Sequence, residues 1–279
     1  MLHDLVSPWA ALVETADSSA MHAFTQRHAD LLNALHRQHA PDRPTLDLAT
    51  DRSLLGPLAA RTAGRTAQLR ITGVMERAAT AGADIGCDVV LLAGDARGDL
   101  LEVIPHINPP TVVVFAELAG GGADGMLRLH TAVARGIALA TRWRSADSSS
   151  VLATGAVWDR WTRARDVPLS EWIYSEGVAT HLALTVEPQA PPHLALGVSR
   201  GAYALLRQQE RALRARLAAD LDRCGLGPML RWLVRGADSQ VRNAGVGRIP
   251  DGAGRYLAWR MTVERVQRLG LRDALRRAS

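Results

Sequence analysis

The fold of this chain is decided by two stretches, GMLRLHTAVARGIALATRW at residues 125–143 and EWIYSEGVATHLALTV at residues 171–186. In the first, apolar residues recur at helical spacing, and His130 lies inside that pattern. In the second, an apolar face is opposed by a more polar side that contains Glu176. We therefore predict two helices, starting near Asp124 and between Pro168 and Glu171, and each contains a side chain of a type that binds metal ions.

Short apolar runs before the first helix predict a small β-sheet. Residues 87–94 and 111–117 are rich in β-branched and apolar side chains, which is typical of buried strands. Residues 99–104 predict a third strand between them, so that the three would form a meander. The expected fold class is α+β and mainly helical, with this sheet followed by the two helices.

Prolines suggest how the chain is divided. Residues 1–40 read as a helical N-terminal segment, and Pro41 and Pro44 interrupt any helix, so that 41–50 is the predicted linker. Residues 51–279 then form the main domain. A hydrophobic fraction of 47% with 22% charged residues is ordinary for a globular protein and does not indicate disorder.

The order of these elements resembles a known group of enzymes. A sheet, a helix that would contain HExxH and a later helix with EGxA are similar to the gluzincin type of zincin-like metallopeptidase, particularly its bacterial families. The segment from Glu176 and Gly177 to Ala179 matches that second helix closely, and the order of elements matches over about residues 60–275. The resemblance implies that His130 is the first zinc ligand and Glu176 the carboxylate ligand.

Two positions of HExxH differ from the pattern of that family. The motif works because residues four apart share a helix face, so that two histidines hold zinc while the glutamate deprotonates its bound water. Here Thr131 replaces the glutamate and Ala134 replaces the second histidine. At most two of three protein ligands remain, so zinc affinity should fall steeply.

Other residues are candidates for the same site. His106 or His181 could substitute for the missing ligand, although His181 follows Glu176 by five residues and would point about 140° away on a helix. The resembled families have a closing helix beside the site, which makes Tyr256 a candidate pocket residue, with Arg260 one turn later. Glu117, at the end of a predicted strand, is the last candidate pocket residue.

Composition and charge limit the partners. All 33 basic residues are arginine, and the net charge is only +5, spread over the chain. Nucleic-acid binding normally needs a concentrated patch, so the composition argues against it. The first residues lack the basic region of a signal peptide, and no apolar run reaches about 18 residues, which predicts a cytoplasmic protein without a membrane partner.

These observations lead to three functional hypotheses. The first is a catalytically degenerate metallopeptidase-like protein with a binding or scaffolding role, whose partner would be a peptide or protein. The second is an active hydrolase, using zinc with a substitute ligand or metal-free acid–base chemistry at Glu176 and His130. The third is an arginine-rich nucleic-acid-binding protein, whose binding would depend steeply on salt.

Overall fold

A computed structural model describes residues 1–38, 65–94, 101–104, 109–116, 122–145, 164–234 and 249–277. As predicted, the fold is α+β and mainly helical, with one four-stranded mixed sheet. The strands are β1 (Leu2–Asp4), β2 (Asp88–Leu92), β3 (Leu101–Ile104) and β4 (Thr111–Phe115). The third strand expected between residues 99 and 104 is thus confirmed.

The predicted meander is wrong. The strand order is β1-β2-β4-β3, with β2 parallel to both β1 and β4, and β3 antiparallel to β4 at the edge. The physical reason is that β2 and β4 are apolar at nearly every position, which suits parallel strands covered on both faces. On one face Val90 and Val113 pack against Leu35, while Val89 and Val112 face the main helical core.

Eleven helices are described outside the sheet. They are α1 (Val6–Thr15), α2 (Ser18–Arg27), α3 (Ala29–Gln38), α4 (Arg65–Thr80), α5 (Gly122–Arg144), α6 (Leu169–Val186), α7 (Pro192–Ala195), α8 (Arg200–Ala218), α9 (Leu226–Trp232), α10 (Ala253–Leu269) and α11 (Leu271–Ala274). The two helices that the sequence placed around His130 and Glu176 are α5 and α6, and both begin within about two residues of the expected positions. None of the described helices is both long enough and apolar enough to cross a lipid bilayer.

The N-terminal helices pack against the sheet. β1 forms one edge of the sheet, and α3 contributes Ala34 and Leu35 to the smaller apolar cluster on one sheet face. The division of the chain at a linker over 41–50 stays a prediction, because that segment lies outside the described residues.

Two glycines allow the central elements to approach one another closely. A Cβ at Gly136 of α5 would lie less than 3.0 Å from the side chain of Val112, where the helix crosses β4. A Cβ at Gly177 of α6 would lie less than 3.0 Å from the carbonyl oxygen of Ala258 and the hydroxyl of Thr262, both on α10. Helix α5 therefore packs closely against the sheet, α6 packs on α5, and α10 packs on α6. These three helices contain the candidate site.

Candidate functional site

The carboxylate of Glu176 is held by arginine side chains from two neighbouring helices. Arg135 of α5 donates from Nη2 to Oε2 of Glu176 at 2.6 Å, and Nε of Arg255 on α10 lies 3.6 Å from the same oxygen. All three side chains are largely buried, with exposed fractions of 4% for Arg135, 15% for Glu176 and 8% for Arg255. Charge-assisted hydrogen bonds of this kind are stronger than neutral ones, and screening is weak at buried positions.

A small cavity adjoins this cluster. It has a volume of about 20 Å³, and its walls include Glu176, Arg255, Trp143 and Trp172. A volume of this size is sufficient for about one water molecule. Trp143 and Trp172 pack edge to face, with ring centroids 5.9 Å apart, so they form a rigid aromatic wall.

His130 has a different carboxylate partner. Its Nδ1 lies 3.1 Å from Oε1 of Glu187, which directly follows α6, and Arg77 of α4 forms an ion pair with that same oxygen. Arg77 also donates from Nε to the carbonyl of Val186 at 2.9 Å, which fixes the guanidinium at the end of α6.

The electrostatic environment favours a neutral imidazole at His130. Burial lowers its pKa from 6.5, and Arg77 and Arg70 lower it further, while Glu187 opposes the shift. The other ring nitrogen, Nε2, is buried and has no hydrogen-bond partner among the described residues. A neutral ring that donates from Nδ1 to Glu187 keeps the lone pair on Nε2.

At the two positions where an HExxH pattern would have its glutamate and second histidine, this chain has small, buried side chains. The hydroxyl of Thr131 donates to the carbonyl of Arg128 at 3.0 Å, which is a local bond within α5. Ala134 is completely buried. Neither side chain can supply the carboxylate base or the second imidazole that zinc-dependent hydrolysis at an HExxH motif uses.

The residues fit zinc poorly. Glu176 is bound to Arg135, whereas His130 is bound to Glu187, so the two expected ligands have separate partners. A dication next to Glu176 would have to overcome repulsion from the guanidinium groups of Arg135 and Arg255 in a poorly screened site. Within the described part of the chain, no group of three or more His, Cys, Asp and Glu side chains is arranged to hold a metal ion.

The other candidate residues lie at different places. Nε2 of His181 lies 3.2 Å from the carbonyl oxygen of Trp259, and burial lowers the pKa of this histidine. Tyr256 and Arg260 both contact Glu210 of α8, the tyrosine through a 2.5 Å hydrogen bond and the arginine at 3.5 Å. His106 and Glu117 lie outside the described residues.

Tyr256 and Glu210 influence one another's ionisation. Burial and the hydrogen bond to Glu210 raise the pKa of Tyr256 to about 12. Burial alone would raise the pKa of Glu210, but hydrogen bonds from Tyr256 and Arg214 and the charge of Arg260 lower it overall. This pair connects α10 to α8 and does not include Glu176 or His130.

Several residues of the site were not found from the sequence. The chemistry available to Glu176 and His130 is decided by the charged residues paired with them, which are Arg135, Arg255 and Glu187. An arginine in the middle of the apolar run of α5 is the signal that could have indicated Arg135, since a buried charge needs a partner. The same reasoning would have indicated Arg142, which is fully buried and paired with Glu171.

Comparison with protein-family models, with curated proteins and with solved structures finds no match to this chain. The assignment of a function therefore depends on the geometry described above.

Proposed function

We propose that this protein is a catalytically degenerate, metallopeptidase-like protein that binds a peptide or protein partner, or serves as a scaffold, and does not hydrolyse peptide bonds. The observation that supports this most directly is the pairing of Glu176 with Arg135. A guanidinium group supplies the positive charge that a metal ion would supply to the same carboxylate.

The electrostatics agree with loss of the metal. If zinc bound to Glu176, it would break the 2.6 Å charge-assisted hydrogen bond from Arg135. The guanidinium of Arg135 would then lie next to a dication. With Thr131 bound to its own helix and Ala134 apolar, the position also lacks both the base and the second imidazole. Three independent changes therefore oppose the zinc mechanism.

The helix packing supports a binding role. Gly177 keeps the close contact between α6 and α10, and Trp143 and Trp172 keep an aromatic wall beside Glu176. These features keep the helices beside Glu176 closely packed, without the groups that would activate water. Such a framework supports a role in binding or scaffolding rather than in hydrolysis.

One observation favours an alternative function. In the part of the chain that the structure describes, the buried Nε2 of His130 has no hydrogen-bond partner, and Nδ1 is oriented by Glu187. A histidine oriented in this way by a carboxylate can act as a general base. The alternative is therefore a hydrolase with acid–base chemistry at His130, or with a metal held by His130 and a substitute ligand.

Zinc binding to the purified protein tests the proposal. Metal content and isothermal titration calorimetry are measured on the wild type and on the double variant His130→Ala/Glu176→Ala. We expect no stoichiometric zinc in either protein and no heat of binding beyond that of the buffer. Tight zinc binding by the wild type that disappears in the double variant would overturn the proposal, and peptide hydrolysis should then be screened.

A variant that restores the motif tests the resemblance separately. The triple substitution Thr131→Glu/Ala134→His/Arg135→Ala creates HExxH and removes the competing guanidinium. If the helices have the arrangement of a zincin, this variant should bind one zinc ion, and adding Glu176→Ala should weaken that binding. A restored variant that folds, as judged by circular dichroism, but binds no zinc would refute the zincin-like arrangement.

A further inference from the structure

Helix α8 presents a line of arginines to solvent. The line consists of four residues at intervals of seven, four and three positions: Arg200, Arg207, Arg211 and Arg214. At 100° per residue, these intervals place all four within about 60° of one another around the helix axis. At 1.5 Å per residue the line is about 21 Å long.

The line has a large excess of positive charge. α8 contains five arginines and a single carboxylate, Glu210. Glu210 already accepts from Arg214 and Tyr256 and faces Arg260. Arg200, Arg207 and Arg211 are exposed, and none of them forms an ion pair with a described residue.

Aromatic side chains lie beside this line. Tyr203, between the first two arginines in sequence, is half-buried and packs edge to face on Tyr256, with centroids 5.9 Å apart. Trp259 continues the row at 6.3 Å from Tyr256, and the guanidinium of Arg260 lies 5.8 Å from its ring centroid. Tyr256 is buried, but Tyr203 and Trp259 are partly exposed beside the arginines. Cationic groups next to exposed aromatic rings are what single-stranded nucleic acids bind, through phosphates and stacked bases.

The orientation of α8 argues against a lipid bilayer as the partner. A helix that binds membranes needs an apolar face that it can insert among the lipids. In α8, Leu206, Leu213 and Leu217 are buried in the core of the protein, with exposed fractions of 2% or less. The arginines therefore lie on a face of α8 that points to water and carries none of these buried leucines.

We propose that α8 and the adjoining part of α10 form a binding surface for the phosphate backbone of single-stranded nucleic acid. A line of arginines on one face of a helix suits a polymer that carries a line of negative charges. The sequence argued against this partner because the total charge is small, but helical spacing gathers four of the arginines on one surface. This inference is independent of the proposed loss of peptidase activity.

Fluorescence anisotropy of a labelled oligo(dT) at several salt concentrations tests the proposal. If Arg200, Arg207 and Arg211 contact phosphates while Arg214 stays paired with Glu210, the logarithm of the association constant should fall with the logarithm of the salt concentration with a slope of about −2. The variant Arg207→Ala/Arg211→Ala should reduce the size of that slope by about 1.4 and weaken binding roughly 25-fold at 0.1 M salt. Both positions are exposed and alanine favours helix, so the variant should fold normally.

A matched control separates this surface from the general positive charge of the protein. Arg27→Ala/Arg272→Ala removes the same charge from two exposed positions on α2 and α11 and should leave the slope unchanged. Equal weakening in both double variants, or binding that does not depend on salt, would overturn the proposal. So would binding to vesicles that contain anionic lipid, or to poly-glutamate, in the absence of any binding to the oligonucleotide.

Discussion

Replacing Arg142 by methionine should destabilise this protein more than almost any other single change. The arginine is fully buried and pairs with Glu171, donates to the hydroxyl of Ser175, and donates to the carbonyls of Ala274 and Arg277 at 2.9 Å and 2.7 Å. Its guanidinium therefore connects α5 to α6 and both of them to the segment around α11.

The size of the effect follows from what the substitution leaves behind. Methionine has a similar length but no donors, so the Glu171 carboxylate stays buried without this guanidinium and two carbonyls lose a hydrogen bond. Removing one partner of a buried ion pair costs about 3–5 kcal/mol. Replacing both partners, in Arg142→Met/Glu171→Met, should recover part of this loss, because no unpaired charge then remains in the interior.

Urea unfolding, followed by circular dichroism, measures these differences through the midpoint at an unchanged m-value. Arg144→Met is the matched control, since it lies two residues away and its ion pair with Asp84 is exposed to solvent. We expect the control to cost about 0–1 kcal/mol. A similar small cost for Arg142→Met, or a double variant less stable than the single one, would refute this account of the interior.

Three further predictions concern other positions. Gly177→Ala should lower the free energy of unfolding, measured by urea titration, by about 1–3 kcal/mol, because the added Cβ would collide with α10. The control Gly201→Ala has open space around the added Cβ and should be neutral or stabilising. Burial lowers the pKa of His130, so the unfolded chain binds the proton more readily than the folded protein, and the free energy of unfolding should fall as the pH drops below 6.5. The variant His130→Gln should reduce the dependence of the free energy of unfolding on pH in this range. An unchanged pH dependence would contradict the reasoning. Tyr256→Phe should lower the free energy of unfolding by about 1.5–3 kcal/mol at neutral pH, because the hydrogen bond to the ionised Glu210 is lost. The difference between variant and wild type should shrink below pH 4.5, where Glu210 becomes protonated. Urea titrations at several pH values measure this difference.

The helices could be predicted because their signals are local. Apolar residues at helical spacing located α5 and α6, and Pro168 marked the start of the second within one residue. The order of the strands could not be predicted in the same way. β1 is only three residues long, too short to show a periodicity, and the pairing of β2 with β4 depends on the cover that α3 and α5 give to the two sheet faces.

The site was predicted only as far as helix faces allow. Helical spacing could indicate that Glu176 and His181 point in different directions, and they do have separate partners. It could not indicate that Glu176 would be bound by Arg135, because these residues are 41 positions apart and meet only where two helices cross. The arginines that set the chemistry of Glu176 therefore lie on other helices than Glu176 itself.

The burial of Arg142 also affects the order in which the chain can fold. Two of its four partners among the described residues, the carbonyls of Ala274 and Arg277, lie 132 and 135 residues further along the chain. At ribosomal rates of about 5–20 residues per second, these partners are made roughly 7–27 s after the arginine itself. During that interval α5 and α6 can come together only with an incompletely satisfied guanidinium between them. Final closure of this region is therefore delayed until α11 and Arg277 have been synthesised.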